Sequence, residues 1–331
     1  MATILSTLMK KVLFIILFSF IYIGLQAQEG TSTFNFLKLP ISSHAAALGG
    51  ENVSVIEDDL TMAFQNPALL SCVADRTLNL NYMVYMDGVG VGSAAFSKVI
   101  NDRSAWAVAA QYFGYGKMKQ TDPENNILGE FSAKDMAFMG IYNYDLSDYW
   151  SGGVTAKMIY SKYEEYSSFA IGVDLGLNYY NENSDFSASI VFKNLGGQIV
   201  AYDEKHEKLP VDIQLGISKR LAHAPFRLSI TMPMLNNWQS SYTTDGEKQK
   251  FGTILLNHFV FGLDFNPSDN FYISLGYNCR RANEMKIDGS SHWAGLTVGA
   301  GIQVKRIKFG ASYAKYHSVG SSFLFNLAMT M

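Results

Sequence analysis

From Arg76 onward the chain is written in period two. Phe169, Ile171, Val173, Leu175, Leu177 and Tyr179 alternate with Ala170, Gly172, Asp174, Gly176 and Asn178. Val211, Ile213, Leu215 and Ile217 do the same, as do Phe226, Leu228, Ile230 and Met232, and Phe259, Phe261, Leu263 and Phe265. The final stretch sets Phe323, Phe325, Leu327, Met329 and Met331 against Asn326, Ala328 and Thr330. Successive side chains of a strand point to opposite faces, so each segment presents one apolar and one polar face. Fourteen such segments start near residues 76, 89, 104, 134, 149, 167, 184, 210, 225, 256, 269, 292, 305 and 321. Most run about 10 to 14 residues, the length of a tilted membrane strand and about twice that of a globular one.

The connections alternate as well. Short turns lie near Asn101-Asp102, Ser147-Asp148, Glu182-Asn183, His223-Ala224, Pro267-Ser268 and Lys305, and longer loops near 117–133, 194–209, 236–255 and 282–291. Every long loop follows an odd-numbered segment, the hairpin asymmetry of a barrel with periplasmic turns and extracellular loops. A β-sandwich or lipocalin-like barrel also alternates, but its outer face carries many charges. Here only 17% of residues are charged, against roughly 25% in soluble domains. Aromatics reach 14%, and Tyr82, Tyr85, Tyr112, Tyr142, Tyr144, Tyr160, Tyr163, Tyr179 and Tyr180 gather near segment ends, where an interfacial girdle is required. A mean hydropathy of +0.04 is too low for a bundle of membrane helices and high for a soluble chain of this length. The expectation is all-β: a 14-stranded antiparallel transmembrane β-barrel over residues 76–331.

Residues 1–27 read as a secretory signal: Lys10-Lys11, an apolar run from Val12 to Leu25, and a cleavage context at Leu25-Gln26-Ala27. Translation starts at Met1 or Met9. That run is short of the roughly 20 residues an anchoring helix needs, so the expected location is the outer membrane. Residues 28–75 lose the alternation. Met62, Ala63, Leu69 and Leu70 suggest helical turns, broken and capped at Asn66-Pro67. This segment is expected to lie in the lumen as a plug, with a periplasmic extension as the alternative.

Chemistry is sparse. The charge balance of 26 basic to 29 acidic residues excludes an electrostatic footprint for nucleic acid. Six histidines (His44, His206, His223, His258, His292, His317) show no metal-binding spacing. No G-x-S-x-G elbow occurs, so no catalytic, cofactor or metal residue is assigned and the chain reads as a non-enzyme. Gly88, Gly90 and Gly92 alternate with valines between strands and read as small lumen-facing or bulge positions. Cys279 shares the parity of Phe271, Ile273, Leu275 and Tyr277, so it is expected at a strand end facing lipid and out of reach of Cys72. Arg280-Arg281 reads as a solvated rim, with a lipopolysaccharide contact as the alternative. Tyr202, Trp238, Tyr242 and Phe251 stand on long loops, as partner-binding anchors or as residues folded over the barrel mouth. Met83, Met139, Ile141 and Ile159 put apolar side chains on the otherwise polar face, either to line a transporter's pocket or to pack against the plug.

Three blocks carry a family resemblance: Phe36-Leu37-Lys38-Leu39-Pro40, Ala45-Ala46-Ala47-Leu48-Gly49-Gly50-Glu51-Asn52 and Ala63-Phe64-Gln65-Asn66-Pro67-Ala68-Leu69-Leu70. They resemble the PorV/PorQ group of outer-membrane barrels, distant relatives of the FadL long-chain fatty acid transporters. Gly92-Ser93-Ala94-Ala95-Phe96, the run from Asn126 to Asp135, and Tyr144-Asp145-Leu146-Ser147-Asp148 look like the PorQ branch. The chain departs from many barrels in ending on Met331 and not on an aromatic. The resemblance implies a component of the type IX secretion system of Bacteroidota, in an attachment complex with PorU, PorV and a PorZ-like surface protein that it holds at the outer membrane. The rival reading is a FadL-like transporter of hydrophobic small molecules; an outer-membrane hydrolase finds no nucleophile to support it.

Overall fold

The computed structural model describes residues 32–86, 89–124, 126–238, 250–285, 293–316 and 320–331. The expected signal peptide, the start of the plug segment, Tyr242, Gly88, His292 and His317 lie outside the described residues.

The period-two segments form one closed antiparallel barrel. Its strands are β1 (Thr77–Met86), β2 (Val89–Asn101), β3 (Ser104–Thr121), β4 (Ile127–Asp145), β5 (Trp150–Tyr163), β6 (Tyr166–Asn181) and β7 (Phe186–Val200). They continue with β8 (Asp212–Arg220), β9 (Phe226–Met232), β10 (Val260–Ser268), β11 (Phe271–Asn278), β12 (Leu296–Val304), β13 (Ile307–Ala314) and β14 (Ser322–Thr330). β1 pairs with β14 from Thr77↔Thr330 to Val84↔Phe323, which leaves no free edge. The outward set is apolar and exposed: Leu80 and Tyr82 on β1, Ile171, Val173 and Leu175 on β6, and Phe323, Phe325, Leu327 and Met329 on β14. The inward set is buried, with Asn79, Asn81, Thr155, Asp174, Ser274, Thr297 and Asn326 among its members. An apolar exterior around a polar interior is the wall of a barrel that spans a lipid bilayer.

Several boundaries differ from expectation. Residues 117–133 are not a loop: β3 and β4 pair from Lys117↔Ser132 up to Thr121↔Ile127. Lys117, Lys119, Gln120 and Glu130 are exposed there; a ladder standing in water needs no apolar face, so its alternation vanishes while its hydrogen bonds persist. β7 likewise continues to Val200. The wall is therefore tall from β3 to β7 and low from β8 to β14. Over the low rim lie α2 (Phe251–Asn257) and α3 (Cys279–Glu284). Cys279 opens α3 and is not a lipid-facing strand residue, because Asn278 ends β11 by capping the helix, its side chain accepting from the Arg281 amide at 2.9 Å. Both cysteines are free. Gly90 and Gly92 face outward and not into the lumen, since they pair with Val84 and Tyr82; the Tyr82 ring lies over Gly90. Tyr85 and Tyr163, read as girdle residues, share the inward parity of Met83 and Ser161 and are only partly exposed.

Residues 32–75 thread the lumen. The segment begins at the tall rim, where Ser32 bridges Lys208, and includes the short helix α1 (Ser43–Ala47), capped by the Ser42 hydroxyl. It reverses at Gly49 and Gly50, whose φ of 102° and 97° only glycine adopts without strain. Two 3-10 turns follow, Leu60–Phe64 capped by Asp59 and Pro67–Cys72 capped by Asn66. The expected break at Asn66-Pro67 is thus a cap followed by proline in the first turn. Inward glycines let this segment press against the wall. A Cβ at Gly276 would overlap the Gly49 nitrogen and the Leu48 carbonyl carbon, and one at Gly153 would overlap the Pro67–Ala68 peptide.

Gly276→Val should therefore displace the plug and destabilise the barrel by about 1–3 kcal/mol, the usual cost of overpacking. Gly140 faces outward and a Cβ there meets nothing within 4 Å, so Gly140→Val should leave stability unchanged. Thermal unfolding in detergent, followed by heat-modified gel migration, checks both; equal midpoints for the two variants would refute the close approach.

Candidate functional site in the plugged lumen

The lumen divides into a charged side that holds the plug and an apolar side that it covers. On the charged side, His44 of α1 stands between two carboxylates. Its Nδ1 is 2.6 Å from Glu57 Oε2 and its Nε2 is 2.9 Å from Asp264 Oδ1. Arg227 on β9 reaches the same pair, at 2.7 Å to Asp264 Oδ2 and 3.3 Å to Glu57 Oε2, and donates through Nη1 to the Ile56 carbonyl at 3.1 Å. The Ser274 hydroxyl donates to Asp264 Oδ1 at 2.5 Å, and the Tyr272 ring stacks on His44 with centroids 4.1 Å apart. Burial pulls the His44 pKa down, but Glu57 and Asp264 outweigh it and push it up to about 10. Burial pushes the Glu57 carboxyl up, but His44 and Arg227 outweigh that and hold it down at about 2. Two cations and two anions therefore cancel at neutral pH inside the wall.

This arrangement is a latch and not a catalytic relay. A histidine base needs one ring nitrogen free to take a proton from a nucleophile. Both nitrogens of His44 are held by carboxylates, and Ser274 points its hydroxyl at Asp264. Further polar links tie plug to wall, among them Lys193 to Gln65 Oε1 at 2.8 Å, Lys308 to Asp58 Oδ2 at 2.6 Å, and Ser151 to the Ala68 carbonyl at 2.9 Å. Beside them Lys157 on β5 pairs with Asp174 on β6 at 2.7 Å, where the β6–β7 register shifts.

The apolar side runs along β1 to β6. Met83, Val91, Ala107, Ala109, Ala137, Met139, Ile141, Ile159 and Ala170 are all buried, and they form one cluster with Phe34, Phe36, Ile41, Leu60, Ala63 and Leu70 of the plug. The apolar inward positions singled out in the sequence thus belong to one continuous strip, joined in register at Ala109↔Met139, Ala107↔Ile141 and Ala137↔Ile159. Toward the tall rim the strip ends in a chain of rings. Phe36 meets Phe113 at 6.4 Å, Phe113 meets Tyr115 at 4.7 Å, Tyr115 meets Tyr163 at 5.6 Å and Tyr163 meets Tyr202 at 5.7 Å. Asp135, buried below them, accepts from Tyr115 at 2.6 Å, from Tyr163 at 2.9 Å and from Ser161.

Of the expected loop anchors, Tyr202 turns inward and packs on Phe34 at 6.1 Å. Trp238 stacks on His258 at 4.2 Å and donates to the Leu235 carbonyl, leaving 42% of its surface exposed. Phe251 starts α2 and is 71% exposed. They do not form one site: Tyr202 belongs to the ring chain, and Trp238 and Phe251 stand over the low rim. Sequence reasoning missed the latch. Its signal was charge within paired membrane strands, Arg227 near the start of β9 and Asp264 in the middle of β10, which demands a buried partner.

The latch's pH dependence follows from its shifted groups. His44 is raised, so its contribution is complete below its ordinary value of 6.5 and fades as pH rises toward 10. Glu57 is depressed, so its contribution is complete above 4.5 and fades as pH falls toward 2. Thermal stability should peak near pH 4.5–6.5 and decline on the alkaline side. His44→Gln should flatten that decline and cost about 3 kcal/mol or more, as breaking a buried ion cluster does. A variant with the wild-type alkaline slope would show that the latch carries no weight.

No known protein family matches the chain, and no curated protein is similar to it. Solved structures are similar in fold. The Ralstonia pickettii toluene transporter TbuX aligns with a TM-score of 0.56 at 10% identity, over 89% of this chain and 98% of that one. The Pseudomonas putida toluene transporter TodX gives 0.55 at 10%, over 89% and 99%. A Pseudomonas aeruginosa FadL homologue gives 0.54 at 11%, over 87% and 97%. At these identities the likeness is one of fold: the chain is a FadL-like 14-stranded barrel.

Proposed function

We propose that this protein is an outer-membrane channel for small hydrophobic molecules, held closed by residues 32–75. The observation that carries the reading is the apolar strip on the lumen wall. A barrel that needs only to fill its interior can do so with small polar residues such as Asn79, Thr155, Ser229 and Ser274. Here β1 to β6 instead place Met83, Met139, Ile141 and Ile159 beside one another, below a cup of aromatic rings. Methionine adapts its shape to irregular apolar partners, and aromatic faces suit hydrocarbon. The plug's apolar side chains stand where a hydrophobic ligand would, so passage requires the plug to yield its place. The likeness to toluene transporters supports this reading at the level of the fold.

A second reading follows the resemblance to type IX attachment-complex barrels: a non-enzymatic anchor for a PorZ-like surface protein beside PorU and PorV. The observation that favours it is the exposed set Phe251, Leu256 and Trp293 above the low rim, since aromatics on extracellular connections are protein-interface anchors.

Vesicles containing the purified barrel should take up labelled toluene faster than empty vesicles. Ile141→Asn should slow that uptake roughly tenfold, because an apolar solute would pass a polar group it cannot satisfy. Wild-type uptake equal to that of empty vesicles, together with loss of a surface protein from the outer membrane on gene deletion, would replace the channel with the anchor.

A further inference from the structure

The lipid-facing wall has a recess of about 580 Å³ across β11, β12, β13, β14 and β1. Its floor is made by Ala300 and Ala311, which are register partners on β12 and β13 and both face outward. Phe309, Ile302, Phe325 and Tyr82 rise around them. Elsewhere on these strands the outward positions are large, so the alanine pair opens a trough where the wall would otherwise be flush. Five strands at about 4.8 Å spacing make it about 19 Å across, the shape of a hydrocarbon chain more than of one side chain.

The turn-side edge of the recess is charged. Ile302 and Phe309 are paired, and the β12–β13 turn just beyond them carries Lys305 and Arg306, both exposed. The Arg306 carbonyl accepts from the Thr330 amide at 3.0 Å, which fixes this turn beside the end of β14. Arg76 stands on the other side of that end, its carbonyl accepting from the Met331 amide, and its guanidinium is paired with Asp75 at 3.2 Å. The nearest turn carboxylate on the other flank, Asp269, is 3.6 Å from Arg220. Lys305 and Arg306 are thus a cationic pair at the membrane edge, on the side of the short turns, directly below an apolar trough.

We propose that this recess binds one acyl chain of an anionic phospholipid of the periplasmic leaflet, with Lys305 and Arg306 holding its phosphate. An acyl chain meets the carbon lining, and a basic pair at a bilayer surface attracts an anionic headgroup. A protein partner would have to meet the same two cations with carboxylates placed at the headgroup level. The site lies outside the barrel, so it stands whether or not the lumen conducts.

The test uses the full-length protein in detergent, exposed to equal amounts of phosphatidylglycerol and phosphatidylcholine and examined by native mass spectrometry. The wild type should retain phosphatidylglycerol in preference. Lys305→Gln with Arg306→Gln should reduce that retention roughly tenfold and leave phosphatidylcholine unaffected. Ala311→Phe fills the trough from the lipid side, away from the plug, and should reduce retention of both lipids while heat-modified migration stays wild-type. Equal retention of the two lipids by the wild type, or no response to either variant, would overturn the proposal. A dimer that disappears in Ala311→Phe would assign the recess to a second copy of the chain and overturn it as well.

Discussion

Inside a bilayer no water satisfies a backbone N–H or C=O, and each unpaired group costs several kcal/mol. That constraint forces β1 onto β14 and makes the wall a closed ladder. Closure in turn fixes what every side chain can do. A residue of one parity meets lipid and must be apolar; its neighbour meets the lumen, where its character is open to choice. The apolar exterior is therefore dictated by the solvent. Whatever this protein does specifically is written in the inward set and in the connections.

The inward set has two characters, and their separation gives the lumen its organisation. Small polar residues, glycines and buried ion pairs on the later strands hold the plug by directional bonds. Alanines, methionines and isoleucines on the earlier strands meet it by apolar contact, with the Ser151 hydroxyl on β5 bonded to the Ala68 carbonyl among them. A plug bound mainly by charge on one side and mainly by dispersion on the other can surrender the apolar contact without breaking the latch. An apolar solute entering from the aromatic cup would replace one weak set of contacts with another, while His44, Glu57, Arg227 and Asp264 stay paired.

Much of this fold was legible from residue order alone. Strand count and the parity of most segments follow from where alternation starts and stops, and Asn66-Pro67 announced its cap. The errors have physical causes. Residues 117–133 lost their alternation because the β3–β4 ladder continues into water, where pairing persists without an apolar face. Cys279 kept strand parity but sits past the cap supplied by Asn278. Gly90 and Gly92 belong to the lipid side because Val91, between them, is the inward residue. The latch was hidden for another reason: His44 and Glu57 lie 13 residues apart in a segment without period, and Asp264 is 220 residues from His44. No local spacing records a contact made through a closed barrel. Only the unsupported charges at Arg227 and Asp264 hinted that something opposite must answer them.

The central claim is that the strip from Met83 to Ile159 is a hydrocarbon-binding surface and not mere filling beneath the plug. Crystals of the protein soaked with a brominated alkane test it most directly, since bromine can be located by its anomalous scattering. The account predicts bromine beside Met139, Ile141 or Ile159, with the plug's Phe36 or Leu70 displaced and the His44 latch intact. Bromine confined to the outer, lipid-facing wall, with an undisturbed plug, would contradict it.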